Sequence, residues 1–423
     1  MYRIIILLFI VLPYGLKAQH KKLDAAIARH IDEAVEMRET IHANPELSNR
    51  EFETAKMVAS YLKKCGIEVQ TQVAHTGVVG ILKGKKDGPV VALRADMDAL
   101  PIKEDTDLPF ISTKKAKYNG KMVPVAHACG HDIHTSVLLG TAAVLADMRN
   151  ELKGTVKFIF QPAEEGAPSG ENGGAKMMIQ EGVLEHPKPD VIFGLHTLPE
   201  MEVGKIGYVM GPGFAAVNSL NIKIKGLQAH GARPHQSVDP IVVASEVVLA
   251  LQTIRSRQLN PTEASVITIG MIHGGVRRNI IPGEVDLKGT VRTYNPDLRK
   301  DIEHRIERLL KGITSAYGAD YEMKFYYGSP ALQNDIELTK QMIPTFERVL
   351  GEENAIEIPP TTASEDFARY AEKIPAIFYR LGTLKPGTVS GGLHATNFRA
   401  DNSSVEVGIR TMSNLVMDYL EGR

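Results

Sequence analysis

Residues 127–136 read HACGHDIHTS, so three histidines and one of the two cysteines of the chain lie within eight positions. A thiolate and an imidazole two residues apart, Cys129 and His131, are ligands that zinc and related divalent metals accept. Gly130 between them allows a tight turn. His134 would lie one helical turn further on, as a third ligand or as a group that supports the ligands. The segment predicts a metal site, and a surface loop that happens to contain histidines is the alternative.

Acidic residues and histidines also follow three apolar segments. Glu164 and Glu165 follow VKFIF in the stretch QPAEEG, where one carboxylate could bind metal while the other takes a proton from water, as in metal-assisted hydrolysis. His196 in FGLHTLP and His394 in GGLHATNF have similar surroundings. Five donors in separate segments suit two divalent ions better than one. Taken singly, an acidic pair is more often a solvated loop, and a histidine at a strand end is more often a core residue.

Other polar residues could support such a centre or bind a substrate. Asp96 and Asp98 in RADMDALP could orient a histidine, and an Asx turn before Pro101 is an equal alternative. His230 lies in GLQAHGARPH, and a donor from a second domain could stabilise an oxyanion. The segment GGVRRNIIPG could bind a substrate carboxylate or form a polar hairpin connection. The supporting or substrate-binding candidates are Asp96, Asp98, Asp132, His134, His235, Arg278 and Asn279.

The elements around these motifs predict an α/β fold. Apolar strands and helices alternate up to the segment FGLHTLP, which indicates a mostly parallel sheet with its site at the carboxyl ends of the strands. The pattern then changes to βαββαβ, a ferredoxin-like layout. We therefore predict a catalytic metal-binding domain of residues 19–214 and 329–423, and an inserted lid or dimerisation domain of residues 215–328.

The N-terminal segment MYRIIILLFIVLPYGLKAQ has a positive start and an apolar run too short to span a bilayer. It predicts a signal peptide of residues 1–18 and a secreted or periplasmic protein without a membrane anchor. Cys65 is expected to be a buried structural residue, although one disulfide with Cys129 is allowed by the count. With 49 basic and 50 acidic residues, the chain has no electrostatic footprint for nucleic acid.

The motifs RADMDALP, HACGHDIHT, QPAEEG, GLHTLP, HGARPH, SEDF and a late GLH occur in this order. In these motifs and in their order, the chain resembles the amidohydrolase branch of the M20 metallopeptidase family. That branch includes N-acyl-amino-acid amidohydrolases, hippurate hydrolases and auxin-conjugate hydrolases. The resemblance covers the whole mature chain, and CGHD and PAEE are its most specific motifs.

The resemblance implies a binuclear metallohydrolase with two divalent ions per subunit, manganese or zinc, with cobalt or nickel as alternatives. Glu164 matches the general base and His230 the histidine that stabilises the oxyanion. It also implies a homodimer formed through the inserted domain. The positions that match the metal ligands of the family are Cys129, His131, Glu165, His196 and His394.

The chain departs from residues common in that branch at Ile133, Thr197, Leu198 and Thr396, which bears on substrate preference. The sequence thus predicts a secreted metal-dependent amidohydrolase that splits N-acyl amino acids or small peptides into a carboxylic acid and an amino acid. One alternative is a dipeptidase or aminopeptidase-like M20 hydrolase. A cysteine hydrolase that uses Cys129, and an exported metal- or peptide-binding protein without catalysis, are the others.

Overall fold

The structure is a computed structural model that describes residues 11–423, with side chains from residue 19 onward. Of the predicted signal peptide, residues 1–10 and the side chains of residues 11–18 lie outside the described residues. Among the helices in the described part of the chain, none is long and apolar enough to cross a membrane.

Nine helices are described in residues 11–423: α1 (Val11–Ala43), α2 (Phe52–Lys64), α3 (His131–Asp147), α4 (Gly174–Gln180), α5 (Pro240–Thr253), α6 (Pro296–Tyr317), α7 (Ile336–Leu350), α8 (Ala368–Ala371) and α9 (Ser403–Glu421). Single 3₁₀ turns occur at Pro234–Gln236 and Glu352–Asn354, and a π turn occurs at Ile254–Gln258.

The strands of the same region are β1 (Glu68–Val73), β2 (Gly77–Lys83), β3 (Lys86–Asp96), β4 (Lys115–Tyr118), β5 (Lys121–Pro124), β6 (Lys153–Gln161), β7 (Val191–Glu202), β8 (Ile206–Tyr208), β9 (Gly211–Phe214), β10 (Ala216–Lys225), β11 (Ala229–His230), β12 (Ser265–Gly274), β13 (Ile280–Ile281), β14 (Glu284–Thr293), β15 (Asp320–Tyr327), β16 (Leu332–Asn334), β17 (Ala355–Glu357) and β18 (Ala376–Leu384).

Contacts between residues divide the chain into two compact units. The larger unit contains residues up to Gly211, Asn334–Pro359 and Tyr370–Arg423, and the smaller unit contains Pro212–Gln333 and Pro360–Arg369. The domain boundaries drawn from the sequence stay a prediction. They differ from this division chiefly at Pro360–Arg369, which the sequence assigns to the catalytic domain.

The larger unit is built on one sheet of eight strands in the order β1-β2-β6-β3-β7-β18-β8-β17. The four central strands, β6, β3, β7 and β18, pair in parallel. They are apolar because both of their faces are covered, as parallel sheets require. Helix α3 is buried along most of its length and packs against α1 and α9. The predicted α/β fold with a mostly parallel sheet is confirmed.

The smaller unit has the predicted βαββαβ order, made of β10, α5, β12, β14, α6 and β15. Its sheet has the order β12-β14-β10-β15, and all of the pairings are antiparallel. Strand β10 alternates between buried and partly exposed residues, so one face of the sheet packs on a core shared with α5 and α6. The ferredoxin-like layout follows from this strand order.

Candidate active site

The parallel strands bring the sequence motifs of the larger unit to one edge of the sheet. Asp96 ends β3, the Glu164–Glu165 pair follows β6, and His196 lies within β7. Because the carboxyl ends of parallel strands meet at one edge, segments far apart in the sequence meet there. The loop after β18 joins them, since the backbone N–H of His394 donates to the carbonyl of Ala128 at 2.7 Å.

The turn at Gly130 sets the directions of Cys129 and His131. Gly130 has a φ of 86°, and helix α3 begins at the next residue. A Cβ at Gly130 would also lie 2.5 Å from Oγ1 of Thr197. The tight turn that Gly130 allows is therefore present, and the two candidate ligands lie on either side of it.

The five predicted ligands form two groups that share Cys129. One group consists of Cys129, His131 and His196, and the other of Cys129, Glu165 and His394. Within each group the potential donor atoms lie within 4.8 Å of one another. Soft thiolate, imidazole and carboxylate donors at this spacing are the ligand types of first-row divalent metals.

The ring of His131 presents a nitrogen suited to a metal. Its Nδ1 lies 3.3 Å from Oδ1 of Asp98. Its Nε2 is buried and makes no hydrogen bond to any residue in the described part of the chain. This nitrogen lies 4.0 Å from Oε1 of Glu165 and 3.7 Å from Oδ2 of Asp96. A buried nitrogen left unsatisfied among carboxylates fits a cation.

His196 and His134 have the same tautomer, with the proton on Nδ1, but different tasks, because a backbone N–H occupies the second nitrogen of His134. Nδ1 of His196 donates to the carbonyl of Thr197 at 2.9 Å, which leaves Nε2 as a lone pair 3.4 Å from Sγ of Cys129. His134 donates from Nδ1 to Asp96 at 2.6 Å, and its Nε2 accepts the backbone N–H of Thr197 at 2.9 Å. With both nitrogens used, His134 supports the site and has no lone pair for a metal.

Asp98 orients both the histidine and the acidic pair. Its carboxylate lies against His131, accepts from Ser48 at 2.7 Å, and accepts the backbone N–H groups of Glu164 and Glu165 at 3.1 Å each. Burial would raise the pKa of Asp98, but His131 holds it below its ordinary value. Asp98 is therefore an ionised anchor beneath the two glutamates.

Glu51 is a second buried carboxyl next to this turn, and no motif in the sequence indicates it. Its oxygens accept the backbone N–H of Ala163 at 3.0 Å and the hydroxyl of Thr76 at 2.5 Å. Burial and the neighbouring Asp98 raise the pKa of Glu51 to about 8. A carboxyl in this setting is typical of a site that concentrates like charge.

The electrostatics of the cluster favour an added positive charge. Cys129 and Glu165 raise the pKa of His394 to about 10. Burial and Glu165 raise the pKa of the Cys129 thiol. Burial lowers the pKa of His196 well below its ordinary range, which keeps its ring neutral. The neutral ring of His196 is the state that binds metal, whereas His394 would release a proton on binding one.

Asp132 faces away from the metal-ligand candidates. It accepts from Nε of Arg38 and from Nδ1 of His42, both at 2.8 Å, while Nε2 of His42 lies 3.1 Å from Glu104. This buried network joins α1 to the start of α3. The sequence did not indicate Arg38, His42 or Glu104, because their partners are distant along the chain.

The remaining candidates lie in the smaller unit. His230 is exposed, and its Nδ1 accepts the backbone N–H of Ala232 at 3.0 Å, which leaves Nε2–H as a donor without a partner among residues 19–423. The backbone N–H of Gly231 donates to the carbonyl of Asn279 at 2.9 Å, so this loop adjoins the exposed Arg278–Asn279 turn. His235 is exposed in the 3₁₀ turn. These residues together form a polar surface of the smaller unit.

Comparison with known proteins places the chain among metallohydrolases. The model of peptidase family M20/M25/M40 matches residues 92–418. An N-acetyl-L-cysteine deacetylase of Bacillus subtilis is 40% identical over 82% of this chain and 79% of its own length. An N-acyl-L-amino acid amidohydrolase of Geobacillus stearothermophilus is 42% identical over 71% of this chain and 79% of its own.

A solved structure supports the same relationship. The Bacillus subtilis YXEP protein, described as a dinuclear metal-binding peptidase from the M20 family, superposes with a TM-score of 0.80. It is 36% identical, and the alignment covers 93% of this chain and 99% of that one. The resemblance drawn from the motifs is thereby confirmed. The chain belongs to peptidase family M20/M25/M40, whose members include metal-dependent amide hydrolases.

Proposed function

We propose that this protein is an exported, metal-dependent amidohydrolase that cleaves the amide bond of N-acyl amino acids. The observation that carries the proposal is one partly buried group of donors, in which Glu164 adjoins both the buried His131 and Glu165. A carboxylate beside two metal-ligand candidates is the arrangement that hydrolysis needs and a passive metal store does not. The names of the deacetylase and amidohydrolase relatives support N-acyl amino acids as substrates.

The residues fit two divalent ions per subunit, manganese or zinc, held by Cys129, His131, Glu165, His196 and His394. When bound, such ions polarise the amide carbonyl and make a water molecule more acidic. A shared cysteine between the two donor groups supports two ions rather than one. The donor types accommodate several first-row metals.

Glu164 takes the proton from the attacking water in the proposed reaction. The water oxygen forms a bond to the carbonyl carbon, the carbon–nitrogen bond breaks, and Glu164 delivers the proton to the departing amine. Glu51 and Asp98 accept the backbone N–H groups of residues 163–165, and these hydrogen bonds hold the Glu164 carboxylate in place during both proton transfers. The products are a carboxylic acid and an amino acid.

The family motifs support substrate contacts by residues of the smaller unit. The Nε2–H of His230 suits the stabilisation of a developing oxyanion. Arg278 and Asn279, on the adjoining turn, suit a substrate carboxylate.

Export and dimerisation complete the proposal. The apolar run that begins at Ile4 supports a cleaved signal peptide. Leu23, the first residue with a buried side chain among those described, lies after a cut at Ala18. Exposed apolar residues on α5 and β12 support a homodimer formed by the smaller unit.

The test compares Glu164→Gln with the wild type after chelation and metal restoration. We expect the variant to bind the same number of metal ions and to lose about 10²–10⁴-fold in kcat, the range of a general base. Glu357→Gln, an exposed carboxylate on β17, is the matched control. Wild-type turnover by the Glu164 variant would remove the assigned role.

A panel of substrates separates this function from peptidase activity. N-acetyl, N-benzoyl and N-hexanoyl amino acids would be compared with dipeptides that have a free amino group. Preference for the dipeptides would favour the peptidase alternative, which the family description also supports. A cysteine nucleophile is disfavoured, since burial raises the pKa of the Cys129 thiol whereas a nucleophile requires a lowered one.

A further inference from the structure

A cavity of about 390 Å³ opens beside Glu165 within the larger unit. This volume lies in the lower part of the range for small-molecule sites, about 300–1,000 Å³. We name it the side cavity, and its principal lining residues are Leu47, Ala99, Leu100, Pro101, Tyr118 and Glu165.

The floor of the side cavity is apolar and fixed by backbone hydrogen bonds. Leu47 and Ala99 are 5% and 3% exposed and form a β-bridge with each other. The backbone N–H of Leu100 donates to the carbonyl of Ala126 at 3.0 Å. Ser48, which also lines the cavity, directs its hydroxyl to Asp98. A ligand there would meet a preformed apolar surface.

The rim of the side cavity is formed by the hairpin of β4 and β5. Tyr118 at its turn lines the cavity and is 40% exposed. Arg50, a cation on the same rim, is already bound by Glu171 through two hydrogen bonds. The rim therefore offers an aromatic edge, with Arg50 engaged by Glu171 and with the exposed Lys117 as a second lining cation.

We propose that the side cavity binds the acyl group of the substrate and favours aromatic or medium-length aliphatic acyl groups over acetyl. This inference rests on the proposed function. The scissile carbonyl must lie against the group that contains Glu165, and the side cavity begins at that residue. Burying the carboxylate of the amino acid on an apolar floor would be costly, so the acyl end is the part that enters.

The first experiment is a ladder of acyl lengths on one amino acid, from acetyl through butanoyl and hexanoyl to benzoyl, with the metal-loaded full chain. We expect kcat/KM to rise by up to about fourfold for each further buried methylene. A flat or falling series would overturn the inference.

Two variants assign the effect to the side cavity. Leu100→Trp should fill it and lower the hexanoyl-to-acetyl ratio of kcat/KM by about tenfold or more. Tyr118→Ala should lower the same ratio by removing the rim contact. Met122→Ala is the matched control, because Met122 is 65% exposed on the same hairpin and does not line the cavity.

The outcomes separate the two claims. Equal changes for all acyl groups in the Leu100 and Tyr118 variants would overturn the cavity assignment while leaving the amidohydrolase standing. A metal-loaded enzyme that hydrolyses no member of the ladder would instead overturn the proposed function. Thermal melting of each variant checks that it is folded, and Tyr118→Ala alters an exposed residue.

An independent observation concerns the turn that carries the acidic pair. Ala163 has a φ of 53°, a left-handed conformation that disfavours residues with a side chain. Three consecutive backbone N–H groups there donate to carboxylates, Ala163 to Glu51 and the next two residues to Asp98. We infer that Glu51 is a positioning residue, which holds this strained turn so that Glu164 and Glu165 point into the donor group.

Glu51→Ala should therefore lower kcat by about tenfold or more and weaken metal binding, an effect of the size that supporting residues of metal sites show. Glu51→Gln keeps an acceptor for Ala163 and should recover most of the activity. The double variant Glu51→Ala/Ala163→Gly should recover part of it, because glycine adopts the left-handed turn without cost.

Glu46→Ala is the structural control for this test. The Glu46 carboxylate accepts N–H groups at the start of α2, at 2.9 and 3.1 Å, and none of its hydrogen bonds within the described part of the chain reaches the 163–165 turn. We expect Glu46→Ala to lower the melting temperature without changing kcat or metal affinity. If Glu51→Ala behaves in the same way as Glu46→Ala, or if Ala163→Gly gives no recovery, the positioning role is wrong.

Discussion

Thr197 shows how one residue joins the segments of the site. Its hydroxyl donates to the carbonyl of Cys129 at 2.8 Å, and its backbone N–H donates to Nε2 of His134. Its carbonyl accepts from His196 and from Arg380, both at 2.9 Å. The sequence marked this threonine only as a departure from its family. In the structure, Thr197 contacts both Cys129 and His196, which are predicted metal ligands.

Thr197→Val should weaken metal binding by about 10–100-fold, as loss of a residue that orients ligands does. It leaves the buried carbonyl of Cys129 without its donor, which costs about 1–3 kcal/mol of stability. Thr197→Ser retains the hydroxyl and is the control. Chelator competition measures the affinity and thermal unfolding the stability. Equal affinities for the valine and serine variants would contradict the role of the hydroxyl.

At the scale of elements, helix α1 is tied to the start of α3 through charge. His42 lies between Asp132 and Glu104, and Arg38 on the same helix also binds Asp132. Burial lowers the pKa of His42, but the two carboxylates outweigh it and raise the pKa above its ordinary value. His42 therefore stays charged inside the protein where a free histidine would be neutral.

This arrangement predicts a pH dependence of stability. The contribution of His42 is fully present below its ordinary pKa of 6.5 and is lost as the pH rises through its raised value. His42→Gln should be less stable than the wild type by about 3 kcal/mol or more at pH 6, and the gap should narrow toward pH 9. Urea unfolding at several pH values measures the difference in the free energy of unfolding between the variant and the wild type. A gap that widens with pH would contradict the assignment.

At the scale of the whole molecule, the smaller unit exposes an apolar surface on two adjacent elements. On α5, Leu249 is 71% exposed, and on β12, Met271 and Ile272 are 47% and 56% exposed. Strand β12 is at an edge of its sheet and pairs with β14 alone among the described strands. An uncovered apolar edge invites pairing with a second copy.

The expected assembly is a homodimer that buries α5 and β12. Leu249→Glu and Ile272→Glu should shift the protein toward monomer, since a charge in an apolar interface is costly. Val389→Glu, at a residue 86% exposed in the larger unit, is the control. Light scattering coupled to size exclusion measures the mass. A monomeric wild type at micromolar concentration, or dimeric variants, would contradict the proposal.

The class of the protein follows from patterns in its sequence. The alternation of apolar strands and helices predicted the parallel sheet, and the change to βαββαβ predicted the ferredoxin-like unit. Residue types and order also predicted the family, because Cys129, His131 and the acidic pair belong to short local motifs. Such motifs occupy short stretches of sequence, so they can be recognised before the fold is known.

The separate roles of these residues follow from contacts between distant segments of the folded chain. His134 and His196 are equally plausible ligands in the sequence, and the partners on their ring nitrogens separate them. Glu51 and His42 have no motif, since their partners lie far along the chain. The tautomer and charge of a side chain, and the residues that hold it in place, depend on which groups lie together in the interior. Packing between distant segments sets these neighbours, whereas spacing within one segment does not.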